Sequence, residues 1–265
     1  MCRRLYIRRR GPAGRKGEAL TERIMWEELP ALFQGAADIF REKREELCEM
    51  DARMGDGDLG LTMEKGWGAL PQLIKEAQVP ADVGKTLVKA GLKMASLVPS
   101  TMGTLMAGGL MEGGKALAGK DGIGPEELAA FLEGFAAGIR KRGKCAPGDR
   151  TVLDAMDGAA RAARQALQAE AGDLAEAAAG PEGGEQEKGN GPAAASKGED
   201  TCLPRVWEAA LAGAREGLEA TKRMVPKFGK AAVFSAKALG TADQGAQAGV
   251  YLLEGLARYR EPEVF

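Results

Sequence analysis

Three aspartates crowd a short glycine-rich stretch, and their carboxylates are well suited to bind a metal ion. Asp51, Asp56 and Asp58 stand in the segment DARMGDGDLG, where Gly55 and Gly57 let the backbone take a positive φ. Three carboxylates in one tight loop repel one another, and hard divalent cations prefer oxygen ligands. The spacing therefore predicts a Mg²⁺ or Ca²⁺ site. A solvated Asp-Gly turn between two helices is the alternative that this loop alone leaves open.

The acidic loop does not follow the calcium-binding loop of EF-hand proteins. If Asp56 is counted as the first ligand, Leu61 stands where the sharp turn needs glycine, and Trp67 stands where the bidentate glutamate belongs. The sequence therefore excludes an EF-hand at this place.

A second polar segment offers hydroxyl and backbone N–H groups ahead of a glycine-rich helical stretch. Residues 99–104 form this segment, which is read as a loop, and the N-terminus of the helix after it can bind an anion. The spacing is not that of a Walker P-loop, and a serine that only caps a helix gives the same pattern. The candidate anion-binding residues are Ser100, Thr101, Met102, Gly103 and Thr104.

Two later segments carry further candidates for binding a phosphorylated ligand. The segment PGDRT at 147–151 is read either as a loop and cap before a helix or as a loop that covers a nucleotide, with Arg150 near phosphate or ribose. Lys237 and Asp243 lie in an irregular stretch, where lysines are usually just solvated. The candidates from these two segments are Gly148, Asp149, Arg150, Lys237 and Asp243.

Composition excludes several kinds of function. The chain has no histidine, which rules out a Ser-His-Asp triad, a histidine-ligated zinc and a phosphohistidine relay built from its own residues. Its formal net charge is -1 and no basic DNA-reading helix is visible, so we expect no binding to nucleic acid. Four scattered cysteines fit a reducing cytosol, and no apolar run approaches the roughly 20 residues that span a bilayer. We therefore expect a cytoplasmic protein without a membrane segment.

Helical periodicity dominates the chain beyond its basic N-terminal stretch. Apolar residues recur at three- and four-residue steps, and no segment alternates convincingly with period two. The segments with helical spacing are 25–51, 62–77, 82–97, 105–119, 124–142, 151–169, 203–223 and 244–260. The pattern predicts an all-α bundle of about eight helices. It also predicts a disordered tail over 1–23 and one domain over 24–265, in which 170–200 is a disordered low-complexity insertion.

Two Gly-Gly pairs interrupt the helical stretch that follows the second polar segment. Gly108-Gly109 and Gly113-Gly114 are unfavourable inside a helix, by roughly 0.5–1 kcal/mol per glycine relative to alanine. They indicate either close packing of neighbouring helices or close approach of a ligand, and the sequence leaves both open.

The order of the polar segments resembles the L subunit of bacterial dihydroxyacetone kinases, a family also known as the DhaL or DAK2 domain. The matching pieces are the D-x4-D-x-D-x-G loop, the Ser/Thr/Gly segment, GKCAPGDRT at 143–151 and an aspartate near a Gly-Ala at 243–246. The resemblance covers about residues 26–262. It implies a barrel-like bundle of about eight antiparallel helices, with the nucleotide in loops at one end.

The same resemblance implies ligands and partners. It places a pair of Mg²⁺ ions on Asp51, Asp56 and Asp58, ADP or ATP against 100–104 and 147–151, and Lys237 where the family has an arginine near phosphate. In this family a histidine on a K subunit holds the sugar, so a K-type partner is implied, with ATP or a phosphotransferase-system protein as phosphoryl donor. Homodimers also occur in the family, so a homodimer is compatible with the resemblance.

Several positions depart from the family pattern. Leu59 replaces the usual histidine, and the segments 99–104 and 240–246 differ from the usual GGxSGPL and HxDPGA. The alternatives are therefore the nucleotide domain of a fatty-acid-type kinase, or a non-catalytic helical protein that regulates a partner. The identity of the sugar and of the partner is left open.

Overall fold

The computed structural model describes residues 23–178, 203–229, 232–233 and 238–260, with the backbone alone described at 170–178 and 260. The described part of the chain is mainly helical and has almost no sheet, which confirms the all-α prediction. Its helices are α1 Leu29–Glu42, α2 Arg44–Ala52, α3 Leu59–Ala77, α4 Val83–Leu97, α5 Thr101–Ala116, α6 Pro125–Gly143, α7 Val152–Ala178, α8 Leu203–Thr221 and α9 Gln244–Ala257. Short 3₁₀ turns at Trp26–Glu28 and Arg258–Arg260 flank the bundle.

A minimal sheet joins two places that sequence periodicity assigned to no strand. β1 (Ile24–Met25) pairs antiparallel with β2 (Gly122–Ile123). Ile24 and Ile123 are both buried, so the pair closes one end of the core rather than forming a layer of its own. Strands of two residues are too short to show the alternation on which strand prediction depends.

The core is organised around one aromatic stack between α1 and α3. Trp67 is fully buried, and its ring lies 6.2 Å from that of Phe33 and 5.9 Å from that of Phe40, measured between centroids. Phe33 and Phe40 stand seven residues apart on α1, so both rings project from the same face of that helix. Burial of large side chains of this kind contributes on the order of 2–3 kcal/mol each, which makes the stack a main anchor of the fold.

Consecutive helices lie side by side through most of the chain. α3 packs on α1 and α4, α5 on α4 and α6, and α7 on α6 and α8, while α9 packs on α7, α8 and α1. A barrel-like closure of this arrangement stays a prediction.

The Gly-Gly pairs of α5 lie at helix contacts. A Cβ added at Gly109 would come within 2.6 Å of the Phe135 ring, and one at Gly113 within 2.8 Å of the Phe131 ring. A Cβ at Gly114 would meet the side chain of Leu87 in α4 at 3.0 Å. The packing explanation therefore accounts for these glycines, because they let α5 approach α4 and α6 closely.

Helix boundaries differ from the predicted ones in several places. α1 begins at Leu29 rather than at Met25, and α3 at Leu59 rather than near 62. The stretch predicted as one helix over 25–51 breaks at Lys43, whose φ of -98° and ψ of 9° end α1 and redirect α2 so that Leu47 faces the core. Helix α5 begins at Thr101, not near 105, because Ser100 caps it. α7 continues to Ala178, so the first part of the predicted insertion at 170–200 is helical.

Several predictions fall on parts of the chain that are not described. Apart from Arg23, which is described, the predicted tail over 1–23 lies outside the described residues, and so does the part of the insertion beyond 178. Among the helices that are described, none is both long and apolar enough to cross a membrane.

Candidate functional site

The acidic loop is folded around the carboxylate of Asp51. This residue sits in the last turn of α2 and is buried, and its Oδ2 accepts N–H groups from Gly57 at 2.9 Å, Asp58 at 3.1 Å and Leu59 at 3.4 Å. Gly57 has a φ of 78°, a conformation that glycine adopts at little cost. One oxygen of Asp51 therefore holds the turn between α2 and α3, and Oδ1 is left to face other partners.

The three predicted metal ligands converge. One carboxylate oxygen from each of Asp51, Asp56 and Asp58 lies within 4.8 Å of the other two, and the last two residues are exposed. Three negative charges at such distances repel one another strongly unless a cation lies among them. An all-oxygen set at the mouth of a cavity fits a hard divalent cation such as Mg²⁺, so the residues present suit the metal that the sequence predicts.

The second segment forms the first turn of α5. Ser100 Oγ accepts the N–H of Gly103 at 3.0 Å, and Thr104 Oγ1 donates to the Thr101 carbonyl at 2.9 Å. Ser100, Thr101 and Met102 line the same cavity as the acidic loop, whereas Gly103 and Thr104 do not. The positive end of the α5 dipole therefore lies at the cavity, where it favours an anion.

The PGDRT segment is held by two carboxylates of its own region. Asp154 of α7 accepts N–H groups from Gly148 at 2.5 Å and Thr151 at 2.7 Å. Asp149 accepts the N–H of Ala146 at 2.7 Å and pairs with Lys227 at 2.5 Å, and this lysine keeps the pKa of Asp149 below its ordinary value. Gly148 and Asp149 are absent from the residues that line the cavity, so in the described structure they shape the loop.

Arg150 is the buried cation of the site. It is 3% exposed, its φ is 60°, and its Nη2 donates to the carbonyl and the hydroxyl of Thr241 at 3.0 and 3.1 Å. Its Nε and Nη1 are buried and have no hydrogen-bond partner within the described part of the chain. Burial lowers the pKa of the guanidinium, and the negative charge of Asp243 opposes this effect. A left-handed backbone costs a non-glycine residue about 1–2 kcal/mol, so the loop holds Arg150 against local preference.

Asp243 links Arg150 to the last helix. It is the N-cap of α9, where its Oδ2 accepts the N–H of Ala246 at 2.8 Å, and its own N–H donates to Thr221 Oγ1 at 3.0 Å. Burial raises the pKa of its carboxyl to about 6, although the Ala246 N–H and Arg150 act in the opposite direction. Lys237, the remaining predicted site residue, lies outside the described residues.

These segments enclose a cavity of about 560 Å³ at one end of the bundle. Of the predicted residues, the structure brings eight to its walls: Asp51, Asp56, Asp58, Ser100, Thr101, Met102, Arg150 and Asp243. A cavity of this size suits a small organic ligand.

Sequence reasoning missed several further lining residues. Among them are Met54, Thr62, Leu105, Phe228 and Gln244. Two carried a usable signal, because Thr62 and Leu105 follow Asp58 and Thr101 at a helical spacing of four and so point the same way. Phe228 and Gln244 reach the cavity through long-range folding, which local spacing does not encode. The apolar members give the cavity a surface on which a flat ring can lie, beside the charged groups.

Comparison with known proteins gives one family. The DAK2 domain family matches residues 53–182 and 191–258. The chain is 24% identical over 220 residues to the ADP-binding subunit DhaL of the PEP-dependent dihydroxyacetone kinase of Escherichia coli (strain K12), covering 83% of this chain and 90% of that subunit. It is 30% identical over 212 residues to the triokinase/FMN cyclase of Homo sapiens, covering 80% of this chain and 31% of that protein.

A solved structure has the same fold. The dihydroxyacetone kinase from C. freundii in complex with AMP-PNP and Mg²⁺ superposes with a TM-score of 0.55 at 20% identity, covering 96% of this chain and 38% of that one. The present chain thus corresponds in length to well under half of that kinase and of the human relative.

Proposed function

The chain belongs to the DAK2 domain family, and we propose on this basis that it is the nucleotide-binding part of a kinase that phosphorylates dihydroxyacetone or a related short sugar. Its relatives are named as kinases of dihydroxyacetone, of triose and of erythrulose. The nucleotide is ADP or ATP, and the cavity at the end of the bundle receives it together with Mg²⁺.

The observation that carries this proposal is the pairing of two features across one cavity. The carboxylates of Asp51, Asp56 and Asp58 lie on one side, and the N-terminus of α5 with Ser100 lies on another. A nucleotide diphosphate brings negative oxygens that can bind a cation and backbone N–H groups at the same time. When bound, Mg²⁺ neutralises charge on the phosphates, which is most of what phosphoryl transfer asks of a protein site.

The other lining groups have matching chemistry. Arg150 offers buried N–H donors that lack partners in the described structure, and an anionic phosphate or a ribose hydroxyl can accept from them. Met102, Leu105 and Phe228 provide apolar surface for the adenine ring. No side chain has to form a covalent bond, which agrees with a chain that contains no histidine.

We assign the sugar to a K-type partner. The histidine that holds the sugar in the resembling kinases has no counterpart here, since the sequence has none. The phosphoryl donor is then either ATP or a phosphotransferase-system protein that rephosphorylates bound ADP. Dihydroxyacetone is expected to remain unphosphorylated by this chain with ATP alone, and addition of a K-type subunit is expected to start turnover; turnover without it contradicts the assignment.

Calorimetric titration with ADP, with and without Mg²⁺, tests the nucleotide site. We expect Mg²⁺-dependent binding that Asp56→Ala weakens about tenfold or more. Mutation of residues that only hydrogen-bond to metal ligands already lowers metal affinity about tenfold or more, and loss of a ligand itself should lower it at least as much. Asp121→Ala is the matched control, since Asp121 is an exposed loop aspartate that pairs with Arg23 and does not line the cavity. Absence of ADP binding in either condition overturns the proposal and favours the regulatory alternative.

A further inference from the structure

Gln244 joins the start of α9 to the acidic loop within the candidate site. It is the first residue of α9, directly after the N-cap Asp243, and it lines the cavity. Its Nε2 donates to Asp51 Oδ1 at 3.4 Å. The two residues are 193 positions apart in the sequence, so this contact joins α9 to the acidic loop. It uses Oδ1, the Asp51 oxygen that accepts none of the three loop N–H groups.

The other end of the Gln244 amide is unsatisfied. Its Oε1 is buried and has no hydrogen-bond partner among the residues that the structure describes. A buried acceptor without a partner costs about 1–3 kcal/mol, so a native site is expected to supply one. The group that satisfies Oε1 must be a cation or a hydrogen donor, and Asp51 beside it attracts a cation.

A glutamine amide presents its oxygen or its nitrogen by a rotation of about 180°, and its orientation follows from its partners. Facing a carboxylate without a cation, the nitrogen is favoured. Facing a carboxylate that already holds a cation, the nitrogen is repelled and the oxygen is favoured. The rotation exchanges the two atoms in place, so Oε1 would then lie about as far from Asp51 Oδ1 as Nε2 does now.

That separation fits two ligands of one cation. Adjacent ligands at right angles, with metal–oxygen distances of about 2.1–2.5 Å, lie about 3.0–3.5 Å apart. The Gln244 amide nitrogen and Asp51 Oδ1 are 3.4 Å apart. We propose that Gln244 is an additional oxygen ligand of the divalent cation, contributed by α9 opposite the acidic loop. This inference rests on the metal site of the proposed function.

Gln244→Pro removes the amide with little disturbance of the fold. Proline is favoured in the first turn of a helix, and the residue before it must be extended. Asp243 already has a φ of -71° and a ψ of 129°. Gln244→Leu is a second variant that also removes the amide, and Gln244→Glu keeps an oxygen at the same reach. Gln247→Leu is the matched control, because Gln247 lies on the same helix and does not line the cavity.

Two measurements on the full chain test the proposal. Mn²⁺ affinity is measured by the paramagnetic resonance signal of the free ion, and the waters on bound Tb³⁺ are counted from its luminescence lifetimes in H₂O and D₂O. We expect Gln244→Pro and Gln244→Leu to weaken Mn²⁺ binding about tenfold and to add one water to bound Tb³⁺. Gln244→Glu and Gln247→Leu are expected to keep the wild-type water count.

The outcomes separate this inference from the proposed function. If the wild-type chain binds the ions and both amide-lacking variants keep its Tb³⁺ water count, Gln244 is not a ligand, whether or not the variants bind Mn²⁺ more weakly. The three-aspartate site is then still supported. Failure of the wild-type chain to bind either ion overturns the metal site itself.

Discussion

The Asp243 carboxyl is expected to make the stability of the fold depend on pH. Burial raises its pKa to about 6 from an ordinary 3.8, since the charged form is poorly solvated inside the protein. The folded chain therefore binds this proton more tightly than the unfolded chain does. The contribution of the protonated group to stability is full below about pH 4 and is lost as pH rises through about 6.

The size of the effect follows from the shift. A difference of about two pKa units corresponds to about 3 kcal/mol in the free energy of unfolding. Asp243→Asn removes the titration and keeps a carbonyl oxygen that can accept the Ala246 N–H at the helix cap. The variant minus wild-type difference is therefore expected to rise by about 2 kcal/mol between pH 4.5 and pH 7, where most of this shift is expressed, and then to level off.

Urea unfolding measures this difference directly. The curves are followed by the fluorescence of the buried Trp67 and Trp207 at a series of pH values from 4.5 to 8, with a chelator present to exclude metal. Exchange of the neutral carboxyl for an amide adds a constant offset, and the attraction between ionised Asp243 and Arg150 is already contained in the Asp243 pKa, so only the pH dependence is diagnostic. Asp121→Asn serves as the control at an exposed site. A variant and a wild type whose stabilities run parallel across this range would refute the reasoning.

Two further predictions concern packing and loop order. Gly213→Ala is expected to destabilise the chain by about 1–3 kcal/mol in the same unfolding assay, because its Cβ would lie 2.4 Å from the Gly158 carbonyl oxygen. Gly68→Ala, where α3 faces open space, is expected to stabilise the chain by about 0.5–1 kcal/mol. Equal effects of the two substitutions on the free energy of unfolding contradict the packing account. Lys227→Met is expected to speed amide hydrogen exchange around Asp149, since the 2.5 Å ion pair ties that loop down, and unchanged exchange shows that the pair does not hold it.

Most helices could be predicted because their signals are local. α4 starts one residue after Asp82, whose side chain accepts the N–H of Lys85, and α6 starts at Pro125 with acids in its first turn. These are caps that the sequence displays within a few residues. The break at Lys43 has no such signal, because the charged residues around it suit a helix on either side. It arises from tertiary packing, which turns Leu47 towards the core.

The residues of the candidate site also divide into those with a local sequence signal and those without one. Asp51, Asp56 and Asp58 could be grouped from sequence, because they are close along the chain and the glycines between them favour a turn. Gln244 could not be paired with Asp51, because only the folded bundle brings the start of α9 to the end of α2. Phe228 is a similar case, as an exposed apolar residue in a segment without periodicity.

The two oxygens of Asp51 explain how the site can be shaped before a ligand arrives. Oδ2 holds the backbone of Gly57, Asp58 and Leu59, so the turn between α2 and α3 does not depend on a cation for its fold. Oδ1 lies towards Gln244, and so towards the segment that also carries Asp243 and the Thr241 contact of Arg150. A ligand therefore meets a preformed acidic turn. The groups that it can still reorient are the Gln244 amide and the Arg150 guanidinium, which carry atoms without partners in the described structure.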